Sequence, residues 1–188
     1  MIATNTPPIT PTLHNLIAQI YDALPTMPNP TEAARRVTTI LQPFLGDPTL
    51  LTPDQCEGNT AHYCQHVLYV DPNDHFSIVA LVWLPGQATP IHDHISWCVV
   101  GVHQGCEHEV LYRQIDTTDG PALLPTGTCR NLAGSVAALT PPGDIHHVIN
   151  PGPSLAISLH IYGANIARLG SSIRRRYNLA VLADDPLS

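Results

Sequence analysis

From about residue 60 onward, the chain is a series of short apolar runs separated by turn-forming residues. The runs are rich in valine, isoleucine, leucine and tyrosine and cover 63–70, 76–84, 96–103, 107–114, 135–139 and 155–162. Between them lie turn signals such as Asp71-Pro72-Asn73, Pro85-Gly86 and Pro151-Gly152-Pro153. Many short strands at this spacing are typical of a β-sandwich or a β-barrel. We therefore predict a mainly β domain.

The N-terminal part differs, because its apolar residues recur at helical spacing. Positions 13, 16, 17, 20 and 24 fall on one face of a predicted helix over roughly 12–24. A second helix is predicted to begin at Thr31 and to end before Gly46-Asp47-Pro48. We expect one domain over 1–188, with a helical cap (1–58), a barrel (59–165) and a short C-terminal extension (166–188).

Charge and apolar content exclude two classes of partner. The formal net charge is −7, whereas phosphate binding requires clustered lysine and arginine. The one basic cluster, Arg174-Arg175-Arg176, is more simply a solvated surface. No apolar run approaches the roughly 18 residues of a membrane span. We therefore expect neither a nucleic acid nor a membrane as a partner, and a monomer or a small homo-oligomer.

The cysteines and the N-terminal sequence suggest a cytoplasmic protein. The five cysteines are an odd number at irregular spacing, which does not suit a disulfide framework. The first residues, MIATNTPPITPT, have neither the positive charge nor the apolar stretch of a signal peptide.

Histidine is the residue type that most suggests chemistry, because the chain has eleven and imidazole is a common metal ligand. Side chains alternate along a strand, so His92 and His94 would point the same way, about 7 Å apart. Asp93 would point to the opposite face. Two histidines at this spacing, taken alone, are often only surface residues. A second motif is therefore needed to support a metal site.

That second motif is Pro141-Pro-Gly-Asp-Ile-His146-His-Val-Ile-Asn150. It resembles the second conserved motif of the cupin superfamily, P-x-G-x-x-H-x-x-x-N. The first cupin motif, G-x5-H-x-H-x3-E-x6-G, then fits from Gly86 to Gly105, with Cys98 in the position of the usual glutamate. The resemblance covers roughly residues 60–165. It implies a single cupin (jelly-roll-like) β-barrel with a metal on His92, His94 and His146.

The absence of the usual glutamate indicates which family within the cupins the chain resembles. A site of three neutral histidines leaves a divalent ion with its full charge and with open positions for an anionic substrate such as a thiolate. Within the cupins, this site is similar to that of the cysteine dioxygenase family. That resemblance implies Fe(II) as the cofactor and O2 as the co-substrate. It also implies a small thiol as the substrate, oxidised to a sulfinate.

The segment Ser158-Leu-His160-Ile-Tyr162 places three polar side chains on one face of a strand. Without the resemblance, it would be read as a half-buried strand with a polar exposed face. It also resembles the Ser-His-Tyr relay of thiol dioxygenases, which implies that Tyr162 acts on the bound substrate or oxygen. In animal cysteine dioxygenases, a cysteine in the position of Cys98 forms a thioether to the relay tyrosine. The alternative for Cys98 is a small buried core residue.

Two residues are predicted to bind the substrate carboxylate. Gln65 resembles the glutamine of the Gln-type members, which are similar to 3-mercaptopropionate dioxygenases although some accept cysteine. Arg168 is predicted to pair with the carboxylate; its alternative role is a surface charge at the barrel rim. The remaining histidines match no ligand position.

The function predicted from the sequence is a thiol dioxygenase for L-cysteine, 3-mercaptopropionate or both. Two alternatives remain open. One is a metal-dependent cupin isomerase or another cupin dioxygenase, because one fold supports many reactions. The other is a non-catalytic cupin that binds a small ligand.

Overall fold

The computed structural model describes residues 8–24 and 29–182. The predicted cap and the predicted C-terminal extension therefore each include residues outside the described ranges. The helices and strands in chain order are α1 (Pro11–Ala23), α2 (Pro30–Leu41), β1 (Cys64–Val70), β2 (Ser77–Trp83), β3 (His92–His94), β4 (Cys98–Gln104), β5 (Cys106–Thr117), β6 (Gly120–Leu132), β7 (Val136–Leu139), β8 (His146–Ile149), β9 (Ala156–Tyr162), α3 (Ile166–Leu169), β10 (Ile173–Arg176) and β11 (Ala180–Val181). Short 3-10 turns cover Gln42–Phe44 and Pro53–Cys56.

The strands form two sheets that enclose a cavity. The five-stranded sheet has the order β1-β2-β9-β4-β7, and the six-stranded sheet has the order β10-β3-β8-β5-β6-β11. Neighbouring strands are antiparallel except for β11 beside β6. The prediction of a mainly β barrel with helices at the N-terminus is confirmed.

The N-terminal helices begin where capping side chains meet the backbone. The hydroxyl of Thr10 accepts a hydrogen bond from the backbone N–H of Leu13 (3.0 Å), and Asn29 caps α2 in the same way through Glu32. Both helices lay their apolar faces on the outer face of the five-stranded sheet. At Gly101, a Cβ would lie 2.7 Å from the side chain of Leu41, so a glycine on β4 allows α2 to approach closely.

The central strands β2 and β9 of this sheet are therefore covered on both faces, and every residue of these two strands is buried. One set of alternate side chains, including Ile78 and Leu159, packs under the helices. The other set, including Leu81 and Tyr162, faces the barrel interior. Polar residues on the inner face of β9 are consequently enclosed in the protein and do not form an exposed surface.

Two parts of the fold differ from the sequence prediction. The segment Gly120–Leu132, which was not predicted as a strand, forms β6 and pairs along its length with β5. The segment after residue 165, which was predicted as an extension, supplies α3 and two strands, and β10 pairs with β3. Within the described ranges, no helix combines the length and apolar character needed to cross a membrane.

Candidate metal centre

Two neighbouring strands of the six-stranded sheet bring three histidines together. His92 and His94 lie on β3, and His146 lies on β8 directly opposite His92. The three ring centroids are 4.6–5.0 Å apart, and one ring nitrogen from each residue lies within 4.8 Å of the others. All three side chains are buried. The spacing predicted from the two motifs therefore corresponds to one cluster that could hold a metal ion.

Hydrogen bonds from the Nδ1 atoms of His92 and His94 fix the orientation of these two rings. His94 donates from Nδ1 to Asp144 (2.9 Å), and the same carboxylate oxygen accepts the backbone N–H of His94 (3.1 Å). His92 donates from Nδ1 to the carbonyl of Pro90 (2.9 Å). Because these partners accept hydrogen bonds, each Nδ1 carries the proton. Each Nε2 then has a lone pair that is free to bind a metal. This is the usual arrangement behind metal-binding histidines.

His146 is held in the same way by a carboxylate on β5. Its Nδ1 donates to Glu109 (2.6 Å), and the other carboxylate oxygen accepts a hydrogen bond from the amide of Asn131 (3.3 Å). Burial by itself would raise the pKa of Glu109, but the hydrogen bond and charge of His146, with the hydrogen bond from Asn131, together outweigh burial and lower the pKa. Glu109 is therefore ionised at neutral pH, and a carboxylate behind a metal-binding imidazole fixes the orientation of the ring.

The cluster has the electrostatic character of a cation site. The Nε2 atoms of His92 and His146 face each other at 3.3 Å, and two lone pairs at that distance repel unless a proton or a cation lies between them. Burial, followed by the neighbouring histidines, lowers the pKa of His92 to about 3, so a proton is disfavoured at neutral pH. Three neutral imidazoles backed by acceptors suit a divalent transition metal.

A hydrogen-bonded chain on β9 runs along the opposite wall of the cavity. The Tyr162 hydroxyl is 3.3 Å from His160 Nδ1, and His160 Nε2 is 3.0 Å from the Ser158 hydroxyl. The Tyr162 ring centroid is 6.1 Å from that of His94. Burial lowers the pKa of His160 well below its usual value and raises that of Tyr162 well above it, so both side chains are neutral.

Cys98 lies beside this chain, at the start of β4. Its Cα pairs directly with that of Tyr162 across the two strands, and its Sγ is 3.9 Å from His160 Nδ1. The thiol is free and fully buried, and burial raises its pKa well above the usual value. In this position it offers no carboxylate to the three histidines.

The histidines and the phenol of Tyr162 line one cavity of about 260 Å³. That volume lies below the usual range for drug-sized ligands, so the site suits a molecule of a few heavy atoms. Gln65 on β1 and Arg176 on β10 also line this cavity.

Arg168, which was predicted to pair with the substrate carboxylate, is not among the residues that line this cavity. Asn165 caps α3, and this short helix directs the Arg168 side chain outward. The Arg168 side chain is 76% exposed, and its guanidinium pairs with Asp74 at 2.5 Å.

Several residues of the site were missed in the sequence. Asp144 lies inside the second motif, two residues before His146, so its position was a usable signal. Glu109 and Arg176 reach the site only through strand pairing, because β5 pairs with β8 and β10 pairs with β3. No local pattern marks either of them.

The fold and the site define a two-sheet β-barrel that encloses a three-histidine centre. No family model matches the sequence. Among solved structures, the chain is similar to an uncharacterised protein with a double-stranded β-helix domain from Klebsiella pneumoniae subsp. pneumoniae MGH 78578 (21% identity, 62% of this chain and 90% of that chain, TM-score 0.45).

Two further structures are similar at the same level. One is a Cupin 2 conserved barrel domain protein from Salinispora arenicola CNS-205 (20% identity, 60% of this chain and 86% of that chain, TM-score 0.44). The other is a cupin superfamily protein from Desulfitobacterium hafniense DCB-2 (13% identity, 64% and 95%, TM-score 0.45). These similarities are too distant to carry a function, which has to be argued from the site itself.

Proposed function

We propose that this chain is a non-haem iron thiol dioxygenase that converts a small thiol carboxylate to its sulfinate. The observation that carries the proposal is the position of the Tyr162–His160 pair, on the cavity wall opposite three buried histidines. Three neutral ligands without a carboxylate suit a substrate that brings its own negative charge. The small cavity suits L-cysteine or 3-mercaptopropionate.

His92, His94 and His146 would hold the metal. Fe(II), when bound there, supplies a centre that takes up a thiolate and activates O2. Three imidazoles bind Zn(II) or Cu(II) at least as tightly, so the choice of iron rests on the resemblance to the cysteine dioxygenase family.

The substrate carboxylate is proposed to lie between Arg176 and Gln65. Both residues line the cavity, from opposite sheets. Arg174, two residues before Arg176, is bound to Asp93 outside the cavity. It is therefore not proposed to bind the substrate. A guanidinium and a neutral amide together offer several N–H donors but only one positive charge. This arrangement favours a simple acid at least as much as an α-amino acid.

Tyr162 is proposed to donate a hydrogen bond to the substrate or to oxygen. Its pKa is raised, so it remains a phenol and a donor at neutral pH. His160 contacts the phenol oxygen, and Ser158 contacts the far side of the His160 ring. These two residues hold the phenol in place.

A thioether between Cys98 and Tyr162 remains a prediction. The two residues are cross-strand partners and both are buried. Formation of the bond would remove two hydrogen atoms, with O2 as the oxidant. Mass spectrometry of a proteolytic digest detects the joined peptides and distinguishes them from two free peptides.

Oxygen uptake by anaerobically Fe(II)-loaded protein tests the function. L-cysteine and 3-mercaptopropionate are supplied in parallel, and the product mass is recorded. We expect a product heavier than the substrate by two oxygen atoms. If iron-containing protein consumes no oxygen with these or other small thiols, the dioxygenase proposal is wrong. The isomerase and ligand-binding alternatives would then be the ones to pursue.

A further inference from the structure

Three consecutive arginines pass the mouth of the cavity on β10, and only one of them lines it. Arg174, Arg175 and Arg176 are all exposed, but Arg176 alone of the three is a lining residue. Neighbouring residues of a strand point to opposite faces, so a shift of one residue in the pairing with β3 would exchange Arg176 for Arg175. The contacts that fix this pairing therefore decide which guanidinium faces the cavity.

The pairing between β10 and β3 changes by one residue along its length. Ile173 lies opposite His94, whereas Arg176 lies opposite His92, so three steps along β10 correspond to two steps along β3. Backbone hydrogen bonds of 2.9 Å lie on either side of the shift and hold both halves in place. The extra residue of this β-bulge is Arg174. Because opposite partners share a face of the sheet, the bulge puts Arg176 on the cavity side with His92.

One buried carboxylate on β3 binds both the extra residue and a residue beyond it. Asp93 is 0% exposed, and its Oδ2 accepts hydrogen bonds from the guanidinium of Arg174 and from the hydroxyl of Tyr177 (2.8 Å). Arg174 and Tyr177 are three residues apart, so in a regular strand they would point to opposite faces. The bulge is what allows both side chains to reach the same oxygen atom.

A regular pairing without the bulge would lose one of these hydrogen bonds. Arg175 would then lie opposite His92 and face the cavity, and Tyr177 would turn away from Asp93. Removal of a donor from a buried carboxylate is costly, so this pairing is disfavoured. In the structure, Arg175 instead lies outside the cavity, with its guanidinium carbon 5.5 Å from the ring centroid of Tyr177.

We propose that Asp93 is a positioning residue that selects Arg176, and not Arg175, as the carboxylate-binding arginine of the cavity. Asp93 does not line the cavity and acts through its hydrogen bonds to Arg174 and Tyr177. The inference rests on the proposed function, because it takes the substrate to carry a carboxylate. The pairing of the two strands can be measured without any substrate.

NMR on isotopically labelled protein tests the strand pairing directly, in metal-free and in Zn(II)-loaded form. Cross-strand backbone contacts of His92 show which arginine lies opposite it, and in the wild type this should be Arg176 alone. In Asp93→Asn, contacts between Arg175 and His92 should appear. Tyr177→Phe removes only the phenol hydroxyl and should give the same new contacts, which covers the case in which Asp93→Asn does not fold.

The matched control is Glu32→Gln, which removes a carboxylate from a surface ion pair with Arg35 on α2. The pairing of β10 should be unchanged in this variant. The proposal is overturned if Arg176 remains the sole partner of His92 in each folded variant that lacks the carboxylate or the phenol hydroxyl.

Calorimetric binding of 3-mercaptopropionate to Zn(II)-loaded protein tests the consequence for the substrate. In the wild-type background, Arg176→Gln should weaken binding by roughly tenfold or more, as expected when a charge-assisted hydrogen bond is lost, and Arg175→Gln should not. In the Asp93→Asn background, the two substitutions should weaken binding to a similar extent. 1-Propanethiol, which lacks the carboxylate, should bind all of these variants alike, which separates the effect from damage to the metal site.

The outcomes separate this proposal from the proposed function. If Arg176→Gln is still the only costly substitution in the Asp93→Asn background, the positioning role is overturned. If neither arginine matters in the wild-type background, the carboxylate contact of the proposed function is wrong. The NMR result then decides by itself whether Asp93 sets the pairing. Neither measurement requires iron or turnover.

Discussion

His146 and Glu109 form a buried pair in which the imidazole Nδ1 lies 2.6 Å from the carboxylate. The pair joins β8 to β5, so the orientation of one proposed ligand is set by a residue from the neighbouring strand. The affinity of the site for a metal should therefore depend on a residue that does not touch the ion.

Glu109→Gln should weaken metal binding by roughly 10–100-fold, because a neutral amide holds the imidazole of His146 less firmly than a carboxylate does. Titration with a competing chelator measures the change. The control is Glu57→Gln, which has the same chemistry at an exposed position. Equal affinity in the two variants would show that Glu109 does not support the ligand.

His92→Ala should abolish stoichiometric metal loading, because two imidazoles remain where three converge. Elemental analysis after reconstitution with Fe(II) and gel filtration measures the metal content. His14→Ala, on the exposed side of α1, is the matched control and should load fully. Full loading of His92→Ala would remove the three-histidine site from consideration.

Tyr162→Phe should retain the metal and lose most of the turnover, because the ring stays in the cavity and only the hydroxyl is removed. Metal content and the rate of sulfinate formation are measured on the same preparation. An unchanged rate with full metal content would show that the hydrogen-bonded chain of Ser158, His160 and Tyr162 has only a structural role.

Arg176→Gln should raise KM for 3-mercaptopropionate by at least tenfold, because the cavity loses its carboxylate partner; a charge-assisted hydrogen bond contributes about 1.5–3 kcal/mol. Arg168→Gln is the natural comparison, since this arginine pairs with Asp74 outside the cavity. It should leave KM unchanged. The opposite pattern would restore Arg168 as the substrate-binding arginine.

Glu107→Gln should change how stability depends on pH. Burial raises the pKa of Glu107 to about 7 from its usual 4.5, so the folded state binds more protons than the unfolded state between these values. The free energy of unfolding of the wild type therefore decreases as pH rises through this window, by up to about 1.4 kcal/mol per pH unit. Urea unfolding at several pH values should show the variant gaining on the wild type from about pH 4.5 to 7 and levelling off above.

The helices and most strands could be predicted from the sequence, because their apolar residues recur at helical spacing or form continuous short runs. Strand β6 did not, because Pro121, Pro125 and Gly127 resemble loop residues. Pro125 lies where the register between β5 and β6 shifts, and a proline is tolerated at such a bulge. A segment rich in turn-forming residues is thus a strand because it pairs along its length with β5.

The three histidines could be located from spacing because both motifs are local in sequence. The carboxyl group of Glu109 could not, since only the pairing of β5 with β8 brings it to His146. The position of Arg176 at the cavity could not be predicted for a similar reason. Gly170 ends α3 in a left-handed conformation, and the chain then returns as β10, which carries Arg176 to the cavity mouth.

Strand β3 has only three residues, and one of its two neighbours is β10, which lies some eighty residues later in the chain. During synthesis on the ribosome, the strand that carries His92 and His94 therefore lacks one edge partner until residues 173–176 have emerged. If this site binds a metal ion, it should accordingly do so only after β10 has been synthesised and has paired with β3.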